Sequence, residues 1–168
     1  MQTDFDPTIA RLFAKAIEIE YMAARFYEAL TDLFPHMPGI AVFWRGLTAD
    51  EMEHALILEE TRKRLTPEQI ESPADPKMWK SLTQIHQKLS KNLIEEIETL
   101  DDAYELAHDL EFSEVNAIFQ FLTTECIPHE TRIEFVRLAI QRHQSKLLDF
   151  TQNYGDKAWR KDIRVQRG

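Results

Sequence analysis

Residues Ala49–Leu58, ADEMEHALIL, have helical spacing, yet they set an acid and a histidine on the ridge that should be apolar. Along that ridge the order is Leu47, Glu51, His54 with Ala55, then Leu58, so Glu51 and His54 share one face at i, i+3. Asp50 and Glu53 fall on faces that read as solvated. An unpaired buried carboxylate is costly and is normally neutralised by a proton, a cation or a metal. The fold of the chain turns on what surrounds this pair.

Upstream, Ile9, Leu12, Phe13, Ala16, Ile17, Ala23, Ala24, Tyr27 and Leu30 repeat at helical period, interrupted by Glu20. Asp6-Pro7 reads as cap and first turn of this helix, and Phe34–Gly39, with two prolines and a glycine, ends it. The second helix spans about 40 to 65. TPEQIESPADP, residues 66 to 76, carries three prolines and forms a long connection. From Lys77 the stripe Leu82, Ile85, Leu89, Leu93, Leu100, Ala103, Ala107 and Leu110 predicts a third helix, with Glu96 inside its apolar face. A break near residues 111 to 114 opens a fourth, capped by Ser113, whose ridge reads Leu122, Cys126, His129, Ile133 with Glu125 beside it. The expectation is an all-α, up-down-down-up four-helix bundle over residues 1–150, followed by a basic tail over 151–168. That tail either docks on the bundle or a partner, or frays into solvent.

If the first two helices turn near residue 36, Glu20 is level with Glu51 and His54; if the last two turn near residue 112, Glu96 is level with Glu125 and His129. Carboxylates and imidazoles at one depth suit iron, manganese or zinc. No lysine or arginine is placed inward at that height. His36, His86, His108 and His143 read as loop, surface or satisfied core histidines, and Tyr27 and Tyr104 as core residues with a secondary role orienting carboxylates.

Composition narrows the partners. The formal charge of −9 argues against a nucleic-acid or anionic-membrane binder, since a phosphate backbone needs a basic face. A single cysteine excludes an intramolecular disulfide and a four-cysteine metal site, and suits a reducing compartment. With neither a signal-like N-terminus nor an apolar stretch long enough to span a membrane, the expected location is cytoplasmic.

AIEIEYMAARFY, TADEMEHALIL, EEIETLDDAYELAHDLE and the histidine-bearing last helix resemble the rubrerythrin-like branch of the ferritin-like di-iron carboxylate superfamily, over residues 7 to 150. There two helices each give a glutamate and the other two each give Glu-x-x-His around two metals. The resemblance implies a ligand set of Glu20, Glu51, His54, Glu96, Glu125 and His129. It implies two irons per chain, with manganese or zinc as alternatives. It also implies an oxidoreductase acting on peroxide, dioxygen or ferrous iron, homo-oligomeric and served by an external electron donor because the cysteine-rich module is lacking. Helix 4 departs from the pattern: Cys126 stands three residues before His129, and Pro128 intervenes. A π-bulge at Pro128 would restore Glu125 to the register of His129, and this is the expectation; a plain kink would leave Glu125 in solvent. The other function class is a metal-poor helical scaffold or regulatory binding protein with a degenerate site.

Overall fold

Thr8 opens the first helix, its hydroxyl accepting from the Arg11 amide, so the cap lies two residues beyond Asp6; the Pro7 carbonyl instead accepts from Ala74. The structure, a computed structural model, describes residues 6–113, 115–125 and 130–168. Helices α1 (Ile9–Leu33) and α2 (Pro38–Lys63) form a hairpin turned by the sequence around Pro35 and Pro38. No named β-strand occurs among the described residues.

Beyond α2 the chain departs from the sequence expectation. The stripe read as one third helix is divided among three helices: α4 (Pro76–Leu89), α5 (Leu93–Glu96) and α6 (Leu100–Glu111). Thr99 and Asp102 form a reciprocal cap, the Thr99 hydroxyl accepting from the Asp102 amide at 3.2 Å and the Asp102 carboxylate accepting from the Thr99 amide at 2.8 Å. That cap starts a new helix at Leu100. The connection therefore runs from the end of α2 to Thr99 and includes α3 (Pro67–Glu71), α4 and α5. Its helix α4 packs on α1.

α6 and α7 (Val115–Thr124) together make the third long helix, interrupted around Phe112 and Ser113, and α8 (Glu130–Tyr154) makes the fourth. The break is a local one: the Ser113 hydroxyl donates to the Leu110 carbonyl at 2.6 Å, and the Asn116 side chain donates to the freed Glu111 carbonyl at 2.6 Å. The third long helix thus ends with α7 at Thr124 and the fourth begins at Glu130, so the two are not divided near residue 112.

Apolar packing confirms the direction of each helix. One half of the core joins Ala23–Leu33, Ile40–Leu47, Leu100–Leu110, Leu147 and Phe150; the other joins Ile9–Ile19, Leu58, Val115–Leu122, Val136 and Ile140. Following the chain through the two halves gives up, down, down, up, the ferritin-like order, with the connection carrying it back from one half to the other.

The C-terminal tail docks on the bundle. Gly155 turns the chain with φ 103°, where a Cβ would lie 2.6 Å from the Trp159 ring, and α9 (Lys157–Asp162) comes next. Arg160 is buried, donating to Asp101 at 3.1 Å and lying over the Tyr104 ring at 4.1 Å. The Leu100 amide donates to the Ile163 carbonyl, and the Gln166 amide to that of Leu33. Tyr104 is therefore part of the tail contact. Removing one member of a buried ion pair leaves the other charge stranded, so Arg160→Ala is expected to cost about 3 kcal/mol in urea unfolding of the full chain. A loss below about 1 kcal/mol would show that the tail adds little to the fold.

Candidate metal centre

Between the two apolar halves lies a layer of ionisable side chains. Glu20 from α1, Glu51 and His54 from α2, Glu111 from the last position of α6 and His143 from α8 are each between 1 and 4% exposed. They form two triads, Glu20–Glu51–His54 and Glu51–Glu111–His143, in each of which one donor atom per residue lies within 4.8 Å of the others. Glu51 belongs to both. Its Oε2 is 3.2 Å from His54 Nδ1 and its Oε1 is 3.1 Å from His143 Nε2, so each carboxylate oxygen faces a different imidazole.

The surroundings orient these groups. The Tyr27 hydroxyl donates a short hydrogen bond to Glu111 Oε1. Asp50 Oδ2 lies 3.0 Å from His143 Nδ1 and 2.5 Å from Lys146 Nζ, which fixes the imidazole through its outer nitrogen. The inner nitrogen faces two carboxylates: His143 Nε2 is 2.6 Å from Glu111 Oε2 and 3.1 Å from Glu51 Oε1. Held from outside through Nδ1, the imidazole turns Nε2 among the site carboxylates, an orientation from which it could bind a metal. Three carboxylates and two imidazoles fit iron, manganese or zinc.

Burial and charge set the protonation. Burial, with Glu51 beside it, pushes Glu20 up to about 8. Burial opposes charge on His54, but Glu20 and Glu51 outweigh it and raise the imidazole to about 10. Against the same burial penalty, Asp50, Glu111 and Glu51 raise His143 to about 12. Glu51 is the opposite case: burial works against its charge, yet the two imidazoles hold its carboxyl well below the usual range. Glu111 is raised, by burial and by Glu51.

Of the residues expected from sequence, the structure brings together Glu20, Glu51 and His54. Glu96 does not join them: it ends the short α5 and is exposed, because the stripe that places it inward in the sequence spans separate helices. Glu125 is exposed immediately after α7 and does not reach the cluster; the bulge expected at Pro128 falls outside the described residues. Cys126, Pro128 and His129 lie outside the described residues. Asp50, read as solvated, is largely buried against His143. Sequence reasoning misses Glu111 and His143, and the signal for them is Pro128. Counted in the sequence from a turn at that proline, Glu111 lies seventeen residues before it and His143 fifteen after it, which makes them nearly level.

A family model described as Rubrerythrin matches residues 12–134, most of the chain. No match is found among curated proteins or among solved structures.

The protonation pattern has a sign that can be checked. The stabilising charge on His54 is fully present below the ordinary value of 6.5 and is lost as pH rises through about 10; for His143 the loss extends to about 12. Glu20 loses its native-state proton near 8, also costing stability relative to its ordinary 4.5. The lowered pKa of Glu51 contributes stability that is already complete above the carboxylate range. Calorimetry of the metal-free chain should therefore show Tm falling by several degrees from pH 7 to pH 10, while metal uptake releases protons and tightens with pH. A Tm that is flat or rising over that interval contradicts the buried proton inventory.

Proposed function

Because the chain belongs to the rubrerythrin family, we propose that it is a dimetal carboxylate oxidoreductase whose resident metal is iron and whose substrates are peroxide or dioxygen, or ferrous iron itself. The observation that carries this reading is Glu51, shared by the two triads with one oxygen toward each imidazole. Glu20 and His54 would hold one ion, Glu111 and His143 the other, and Glu51 both. Iron held by these residues would supply the two electrons that reduction of peroxide requires.

The chain's own groups supply the remainder. Asp50 holds His143 through Nδ1 and so presents Nε2 to the interior. Tyr27 keeps Glu111 oriented and offers the cluster a hydroxyl proton, while burial, then Glu111 and Glu51, hold that phenol protonated well above its ordinary range. The apolar layers on both sides, with Phe119 against His54 at 4.8 Å between ring centroids, limit water at the centre. With one cysteine the bundle builds no cysteine-ligated electron carrier of its own, so the reducing electrons would come from a donor outside the bundle. The scaffold alternative gains no specific support, since both triads are sequestered together.

Metal analysis after anaerobic ferrous loading and desalting is the test. The expected content is about two iron ions per chain, falling to about one in His54→Ala or His143→Ala and to near zero in Glu51→Ala. The loaded wild-type chain should consume peroxide with oxidation of its iron. Absence of retained metal in the folded wild-type chain would reject the reading.

A further inference from the structure

Tyrosine and tryptophan are the side chains that release and recover single electrons, and their placement in this core is one-sided. Of four tyrosines and three tryptophans, Tyr27, Trp44, Tyr104, Tyr154 and Trp159 belong to the half that holds α6 and the end of α8. The other half has Trp79 at its edge and no tyrosine.

The series begins at the acidic layer and ends at the surface. The Tyr27 hydroxyl donates to Glu111 Oε1, and its ring is stacked on Trp44 with 6.1 Å between centroids and 7° between planes. Trp44 is fully buried, packed on Phe43 at 4.9 Å and on Phe150 at 5.8 Å. Both of those rings reach Tyr154, at 5.9 and 5.0 Å. Trp44 and Tyr154 are therefore about 11 Å apart at most, bridged by two aromatic rings. Tyr154 in turn lines an open cleft of about 400 Å³ with Met37, Asn153 and Trp159.

Charge selects this branch over its neighbour. Tyr104 also packs on Phe150, at 5.5 Å, but the Arg160 guanidinium lies 4.1 Å over its ring, and a cation there opposes loss of an electron. Tyr27 is the opposite case, with a carboxylate oxygen in place to accept its proton. Trp44 Nε1–H meets no acceptor among the described residues. An electron lost from Trp44 leaves a cation that keeps its proton and is discharged by the next oxidisable ring.

Resting on the iron reading above, we propose that Tyr27, Trp44 and Tyr154 form an electron relay that completes the reduction of peroxide when a single ferrous ion is at the site. Reducing hydrogen peroxide to two waters takes two electrons, and one ferrous ion gives one; left there, the products are hydroxide and a hydroxyl radical. Tyr27 gives the second electron, its phenol proton passing to Glu111. Trp44 restores that electron while Glu111 returns the proton, and Tyr154 then restores Trp44, releasing its own phenol proton to water. Summed, one ferrous ion, one peroxide, one proton and the Tyr154 phenol give one ferric ion, two waters and the Tyr154 phenoxyl radical. In the open cleft an endiol such as ascorbate returns an electron and a proton to Tyr154.

The test uses the full chain loaded anaerobically with one ferrous equivalent, mixed with one equivalent of peroxide and freeze-quenched for EPR, with a hydroxyl-radical spin trap in a parallel sample. Wild type should give a tyrosyl radical, narrowed by ring-deuterated tyrosine and lost on adding ascorbate, with little trapped hydroxyl radical. Trp44→Phe and Tyr154→Phe should retain iron but leave a buried radical that ascorbate no longer removes, and repeated peroxide additions should raise trapped hydroxyl radical several-fold. Tyr104→Phe should behave as wild type. Should Trp44→Phe not fold, Tyr154→Phe, at the edge of the core, decides. Wild-type iron that is oxidised without a tyrosyl radical, or ascorbate quenching unchanged in Tyr154→Phe, overturns the relay and leaves the iron reading standing. A folded chain that retains no iron overturns both.

Discussion

Everything in this fold is arranged around a carboxylate that the core cannot leave alone. Glu51 is buried with an imidazole against each oxygen, and Glu20 and Glu111 are buried beside those imidazoles. No such layer survives in an apolar interior unless its charges are balanced, and in the metal-free chain the balance comes from protons on His54, His143 and Glu20. A metal pair would take over the same role. The same five side chains thus serve folding and chemistry by exchanging protons for cations.

The long helices are matched to this layer. It separates the core into two apolar halves, and every long helix passes from one half to the other through it. The interruption between α6 and α7 belongs to the same design: Glu111 is the last residue of α6, and Asn116 and Gln144 take up its freed carbonyl. The connection after α2 has to return the chain across the full length of the bundle, and α4 covers α1 while doing so. The tail then ties the end of α8 back to α6 through Arg160 and Asp101.

Half of the site is legible in the sequence because its hairpin is legible. Pro35, Pro38 and Gly39 locate the first turn, so counting along α1 and α2 brings Glu20 level with Glu51 and His54. The second half fails at the turn. The break at Phe112–Ser113 resembles a hairpin in sequence, and taking it as one moves both later helices by about fifteen residues and promotes Glu96, Glu125 and His129 over Glu111 and His143. Two local signals favour the observed arrangement: the reciprocal cap Thr99-x-x-Asp102, which begins a helix inside the supposed third one, and Pro128, which a helix interior tolerates poorly. Ile140 explains why pattern matching gives no warning, since the Glu-x-x-His signature of the last helix is absent from the helix that carries the ligand.

The central claim is that Glu51 joins two metal positions, one at His54 and one at His143. Anomalous diffraction from crystals of the iron-loaded chain tests it most directly. The account predicts two peaks about 3.5–4 Å apart, one on each side of the Glu51 carboxylate and each beside its own imidazole. A single peak, or a peak at Glu96 or Glu125 with none at His143, would contradict it.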